Sequence, residues 1–224
     1  MKTVARIAAT SVLGFATYGL VLFGPAGTLR YWQAWVFLGV FTAATILPTI
    51  YLIRTNPAAL QRRMRGGPGA EPRAAQKVII TVLMLDLFAM MAFSALDHRM
   101  GWSTVPVWVV LLGDVLVAVG LGLAMLVVIQ NGYAASTIRV ESGQQLASSG
   151  VYKFVRHPMY VGSVIMMVGM PLALGSYWGL VFVIPAVLVL VLRILDEETL
   201  LTRELPGYRE YAQRVRYRLV PDVW

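Results

Sequence analysis

Six runs of this chain approach the length of apolar helix that a lipid bilayer demands, about 20 residues, and the loops between them leave no room for a separate soluble domain. The runs are residues 4–23, 29–53, 78–96, 105–129, 159–174 and 177–195. In hydrocarbon a backbone must satisfy its own hydrogen bonds, so such runs fold as helices rather than open strands. Of the 224 residues, 58% are hydrophobic and 13% charged, whereas soluble domains carry roughly 25% charge. The expected fold is all-α: a polytopic transmembrane helical bundle of about five to six spans, with a C-terminal helical hairpin and a cytoplasmic tail helix. The first run follows Lys2 and Arg6, as the apolar core of a signal peptide would. Its length, and the lack of a small-x-small pattern after it, make it a retained helix.

Charge sets the expected topology. The loop 54–77 carries Arg54, Arg62, Arg63, Arg65, Arg73 and Lys77 against the single acid Glu71, which places it in the cytoplasm. Counting outward puts both termini, the loop 130–157 and the tail after 195 on the same side. The opposite side, 24–28, 97–104 and 175–176, has only Arg30 and Arg99 as strong bases nearby. The net charge of +8 therefore points to membrane lipid headgroups as partners and not to nucleic acid. With no cysteine, disulfides, thiolate zinc sites and iron–sulfur clusters are excluded. His98 and His157 alone argue against a histidine-rich metal site. The run Gly66-Gly67-Pro68-Gly69 makes the first basic loop flexible. The chain divides into N-terminal helices, 1–129, and a C-terminal region, 130–224.

Asp86 and Asp114 fall near the middles of the third and fourth runs. They read either as a proton or ion path, as in a transporter or scaffold, or as protonated or hydrogen-bonded helix contacts. The second half says more. Gly150-Val-Tyr152-Lys-Phe-Val-Arg156-His157-Pro158-Met-Tyr160-Val-Gly162 leads into the fifth run, and Pro158 suits a first helical position. His157 and Arg156 then stand at a helix mouth, whose free N–H groups attract anions; Tyr152 and Tyr160 add flat surfaces and hydroxyls. The same residues also suit a plain lipid–water boundary, with a snorkelling arginine and an aromatic belt. A second cluster, Arg193-Ile-Leu-Asp196-Glu197-Glu198, ends the last run. Arg193 and Glu197, four apart, share a helix face, and Glu198 lies near them. The hairpin of the last two runs brings both clusters to one membrane face. Tyr208, Tyr211 and Val215 mark a tail helix, and Tyr217 and Trp224 are expected as headgroup-level anchors.

These clusters, in this order, resemble the isoprenylcysteine carboxyl methyltransferase family, itself related to phospholipid methyltransferases. The matching residues are Gly150-x-Tyr152-x-x-x-Arg156-His157-Pro158-Met159-Tyr160-x-Gly162, then Arg193, Glu197-Glu198, Leu201, Tyr208, Tyr211, Val215 and Pro221, with Asn131, Ser136 and Thr137 as a polar lead-in. Val151 replaces the family's usual proline, and Glu204-Leu-Pro-Gly-Tyr208 is about a residue shorter than its usual form. The resemblance implies a membrane enzyme that binds S-adenosylmethionine beneath its C-terminal segment. It implies cofactor contacts from Tyr152, Arg156, His157, Pro158, Tyr160 and Glu197. Arg193 and Glu198 become the catalytic pair, Arg193 orienting an acceptor carboxylate and Glu198 holding Arg193. The acceptor is a lipid-like or isoprenoid molecule, such as isoprenylcysteine, that reaches the site sideways between helices. The Ala/Arg/Val-rich composition looks bacterial, so the expected location is a cytoplasmic membrane.

A rival enzyme class, membrane sterol or enone reductases that use NADPH, has a similar C-terminal arrangement. Those proteins generally show Arg-His-x-Asn-Tyr and then Gly-Asp, where this chain has Arg156-His-Pro-Met-Tyr160-Val-Gly162-Ser163.

Overall fold

Every expected apolar run is helical in the structure, a computed structural model that describes the backbone from Lys2 to Trp224 and the side chains from Val12 onward. The Lys2 and Arg6 side chains lie outside the described residues. The helices are α1 (Lys2–Ala26), α2 (Trp32–Thr55), α3 (Pro57–Met64), α4 (Ala74–Met100), α5 (Val107–Gln130), α6 (Pro158–Ala173), α7 (Val183–Glu204) and α8 (Tyr208–Arg214). Among the described residues there is no strand. Among the described residues, four stretches are long and apolar enough to cross a membrane: α2, α4, α5 and Trp178–Glu204, the last joining a 3-10 turn to α7. Val12–Ala26, the described part of α1, and α6 are shorter apolar stretches.

The outward faces carry Leu13, Leu20, Leu47, Leu85, Leu111 and Leu188, all exposed. A soluble monomer does not expose so much contiguous apolar surface; a lipid-facing bundle does. Trp32, Trp35, Trp102, Trp108 and Trp178 are exposed near one end of the bundle, as an interfacial aromatic belt. Trp224, expected as an anchor at the other end, is not free. Its ring lies under the Arg218 guanidinium at 5.0 Å, and its carbonyl accepts the Arg218 and Leu219 N–H groups. Tyr217 donates its hydroxyl to Asp222.

Lipid offers helices no hydrophobic reason to associate, so close van der Waals packing must hold them. The tightest example joins α5 to α6. Gly113 and Gly120 on α5 face Gly169 and Gly162 on α6, two turns apart on each helix. A Cβ on any of the four would strike backbone of the other helix. The α6–α7 hairpin is present, but α6 lies closest to α5, while α7 packs mainly along α4; Leu83 of α4, Met167 of α6 and Ala186 of α7 form one buried cluster where the three helices meet.

The ends sort into two layers. At one end Asp97, fully buried, accepts from the Ser103 N–H and hydroxyl and from the Ser176 hydroxyl, and Gly101 in the left-handed region closes α4. At the other end lie α3, the start of α4, the 131–157 segment, the end of α7 and α8. The loops expected to share a membrane side therefore share one end of the bundle.

The first basic loop is not a flexible linker. Asn56 caps α3, accepting the Ala59 N–H at 3.0 Å, and Pro57 occupies the first turn. Arg62 then binds Glu141 at 2.9 Å, and the Ser136 hydroxyl donates to the Arg63 carbonyl at 2.8 Å. These cross-links tie the loop to the 131–157 segment and outweigh the freedom its glycines offer.

Candidate active site

His157 is the N-cap of α6, with Pro158 in the first turn as its missing N–H allows. The C-terminal segment doubles back against this corner. The Arg156 N–H donates to the Tyr217 carbonyl at 2.9 Å, and the His157 N–H to the Arg218 carbonyl at 3.0 Å. The Tyr160 and Val161 N–H groups bond the His157 carbonyl. The helix mouth, expected to offer free N–H groups to an anion, is thus largely closed by the chain itself. The polar groups left at this corner belong to side chains.

Those side chains form one connected cluster. His157 Nε2 lies 3.1 Å from Glu198 Oε1, and the two rings of His157 and Tyr160 stack at 5.6 Å. Arg156 Nε is 2.8 Å from Glu198 Oε1, a charge contact whose angle leaves the N–H without a true hydrogen bond. Arg156 Nη1 donates to the carbonyls of Ala212 and Val215, at 3.2 and 3.3 Å, which fastens the end of α8. Arg218 Nε donates to Glu198 Oε2 at 2.9 Å. Tyr160 gives its hydroxyl to Glu197 Oε2 at 2.6 Å and accepts from Arg193 Nε at 3.2 Å. The histidine–proline corner and the arginine–glutamate corner meet through Tyr160.

One expected contact is absent. Glu198 does not hold Arg193. At 3.6 residues per turn, four positions along α7 leave Glu197 only about 40° from Arg193, whereas five swing Glu198 about 140° away. Glu198 therefore serves the Arg156, His157 and Arg218 side. Arg193, 5% exposed, is held largely by Glu71 and Gln76 from the other half of the chain. Its Nη2 donates to Glu71 Oε1 at 3.0 Å and to the Ser136 carbonyl at 3.1 Å, and its Nη1 to Gln76 Oε1 at 2.8 Å. Glu71 Oε2 accepts the Ile138 N–H at 3.1 Å. Asp196 takes Arg73 at 2.6 Å and the Gln76 amide. Sequence reasoning did not assign Glu71, Gln76, Arg73 or Arg218 to the site. The available signal was Glu71 itself, the lone acid among six bases.

Tyr152, Arg156, His157, Pro158, Tyr160, Arg193 and Glu197 line a single pocket, roofed by Tyr208 and Tyr211 of α8. Glu198 stands behind this wall. Asn131 donates to the Tyr152 hydroxyl at 3.0 Å, and Tyr211 to the Tyr152 carbonyl at 2.8 Å. The Tyr208 hydroxyl and Thr137 Oγ1 line the pocket, are buried, and have no partner. Burial, with the Glu198 carboxylate behind it, holds the Tyr208 phenol well above the usual range. It stays a neutral donor at physiological pH. Asp86 and Asp114 line none of this pocket. Asp114 is 5% exposed, with neither carboxylate oxygen hydrogen-bonded, so it is no hydrogen-bonded helix contact.

Residues 108–207 match the phospholipid methyltransferase family. A mouse delta(14)-sterol reductase is 35% identical over 91 residues, 39% of this chain and 22% of that protein. The chain thus spans about a fifth of that relative's length. The solved structure of a eukaryotic intramembrane Ras methyltransferase, an isoprenylcysteine carboxyl methyltransferase, aligns with a TM-score of 0.46 at 14% identity, covering 99% of this chain and 86% of that one. The stretch that supplies Tyr152, the Arg156–Tyr160 corner, Arg193 and Glu197 to the pocket is therefore the stretch in which this chain matches the phospholipid methyltransferase family.

Proposed function

We propose that the protein is an integral membrane methyltransferase that moves the methyl group of S-adenosylmethionine to a lipid-like acceptor, with a carboxylate such as that of isoprenylcysteine favoured. The observation that carries this reading is the pocket in which both polar corners meet, with those corners within the segment that matches a methyltransferase family. The sterol-reductase likeness covers much the same share of the chain, and supplies the second reading to be tested.

The residues present fit the cofactor. Tyr152 and Tyr208 offer flat faces for a purine or ribose, and the unpartnered Tyr208 and Thr137 hydroxyls await polar groups. Glu197 suits an ammonium, and Arg156 has Nη2 left for a carboxylate. When bound, S-adenosylmethionine supplies a methyl group on a cationic sulfur that departs as a neutral thioether. Such a displacement depends on alignment more than on acid–base help. Pro158, Met159, Leu201 and Leu205 give the pocket an apolar side that limits water. Glu198 acts as a positioning residue, fixing Arg156 and His157. Arg193 faces the acceptor side, where Tyr160, Glu71, Gln76 and Ser136 occupy four of its five N–H donors. A carboxylate acceptor has no proton to lose, so no general base is required. The six bases of the 54–77 loop support a cytoplasmic location for this end of the bundle, where a soluble cofactor has access, and the Ala/Arg/Val-rich composition supports a bacterial cytoplasmic membrane as the site of residence.

Calorimetry on the detergent-purified protein tests the reading. S-adenosylhomocysteine is expected to bind in the micromolar range. His157→Ala should weaken it at least tenfold, about 1.4 kcal/mol, and Arg193→Ala should leave much of it intact. Binding of NADPH with no response to S-adenosylhomocysteine would transfer the site to reductase chemistry.

A further inference from the structure

Most arginines around the site are neutralised. Arg62 pairs with Glu141, Arg73 with Asp196, Arg156 with Glu198 and Arg193 with Glu71. Arg63 is the exception. Among the described residues its guanidinium donates only to the Met159 sulfur, at 3.3 Å, and makes no ion pair. It is also placed differently. Next to the pocket described above lies a second cavity, reaching down between α4, α5 and α6 to Leu83, Gly120 and Met166, and sharing Met159, Tyr160 and Arg193 with the first. A third cavity, between α2 and α5, is lined by Pro48, Leu52, Met125 and Val128 and shares Arg63, Leu121 and Ala124 with the second. Arg63 stands where these two membrane-level cavities join. The Ser136 hydroxyl grips its carbonyl, and the Ser136 carbonyl grips Arg193.

A guanidinium with free donors at the head of an apolar path attracts an anion. It repels an ammonium by the same law. Neutral heads would leave its charge without compensation in a half-buried place. The apolar walls below it suit one hydrocarbon chain.

We infer that Arg63 is the headgroup anchor of the acceptor site, selecting a single-chain amphiphile with an anionic head whose tail lies in the α2–α5 cleft. The inference rests on the methyltransferase reading for the word acceptor, and on the cavities and charges alone for the ligand class. It disfavours a lipid amine, which the family match by itself would allow.

Binding of oleate, oleyl phosphate, oleyl alcohol and oleylamine to the full chain, at one fixed nonionic detergent concentration, tests it. Oleate or oleyl phosphate should bind at least tenfold tighter than oleyl alcohol, with oleylamine weakest. Arg63→Gln should bring the anions down to the alcohol's affinity, and Arg63→Lys should restore most of the preference. The anion that loses more in Arg63→Gln identifies the head group as carboxylate or phosphate. Unchanged S-adenosylhomocysteine affinity in both variants reports an intact fold. Equal binding of anionic and neutral amphiphiles by the wild-type chain overturns the inference without needing any variant, as does an anion preference that survives Arg63→Gln. Absence of S-adenosylhomocysteine binding beside an Arg63-dependent anion preference would remove the methyltransferase reading and leave the anchor standing.

Discussion

Glu71→Ala strips the Arg193 guanidinium of its counter-ion where neither group meets water, since their side chains are 0% and 6% exposed. Two losses follow from the geometry. The ion pair at 3.0 Å disappears, and removing one partner of a buried pair costs about 3–5 kcal/mol because the other charge stays buried. The Ile138 N–H, bonded to Glu71 at 3.1 Å, also loses its acceptor, which by itself costs about 1–3 kcal/mol. The two overlap, because the same relaxation that admits water to one admits it to the other. We take about 4 kcal/mol as the working value. At roughly 2–4 °C per kcal/mol for a chain of this size, the midpoint should fall by about 8–16 °C. Thermal unfolding in detergent, followed by tryptophan fluorescence, reads this directly. The double variant Glu71→Ala/Arg193→Met supplies the control. With both charges gone and an apolar chain in place, much of the loss should return, giving a coupling of at least about 2 kcal/mol. A Glu71→Ala shift under about 2 °C, or strictly additive single variants, would refute the claim that this loop acid supports Arg193.

Two further outcomes test other parts of the structure. Gly120→Ala drives a methyl group onto the Gly162 carbonyl across the α5–α6 contact, so it should destabilise by about 1–3 kcal/mol or more, whereas Gly122→Ala, which meets open space, should be nearly silent in the same melt. Tyr208→Phe removes a buried hydroxyl with no partner; it should leave the melting midpoint unchanged or slightly higher while weakening S-adenosylhomocysteine severalfold, and a lower midpoint with unchanged affinity would mean that the hydroxyl faces protein rather than ligand.

Periodicity and apolar length were enough to read the helices, because a chain in lipid has few alternatives: each stretch of about 20 apolar residues must close its own backbone bonds. All six runs are helical, and most boundaries move by only a few residues, as at α4, which continues to Met100; the last run shifts further, with α7 reaching Glu204. Local spacing also carried part of the site. Pro158 marks a helix start wherever it is placed, and the four-residue step from Arg193 to Glu197 fixes a shared face. Both features survive folding, because they belong to single helices. The resemblance in the last 95 or so residues pointed to the same corner.

What a single helix cannot specify is the partner that comes from elsewhere. Glu198 lies one residue past Glu197, and that one step rotates it from Arg193 to the Arg156–His157–Arg218 side. Glu71 reads in the sequence as one acid diluted among bases in a glycine-rich loop. Only the fold shows it 2% exposed against Arg193, 122 residues away in the chain. The closure of the α6 mouth by Tyr217 and Arg218 is of the same kind. The sequence by itself determined which segments must be helices and which residues share a face, since those follow from backbone geometry and hydrophobic length. The tertiary structure decided which charges neutralise one another and which, like Arg63, remain available. Charge pairing depends on distance through space, and a linear order of residues does not contain that distance.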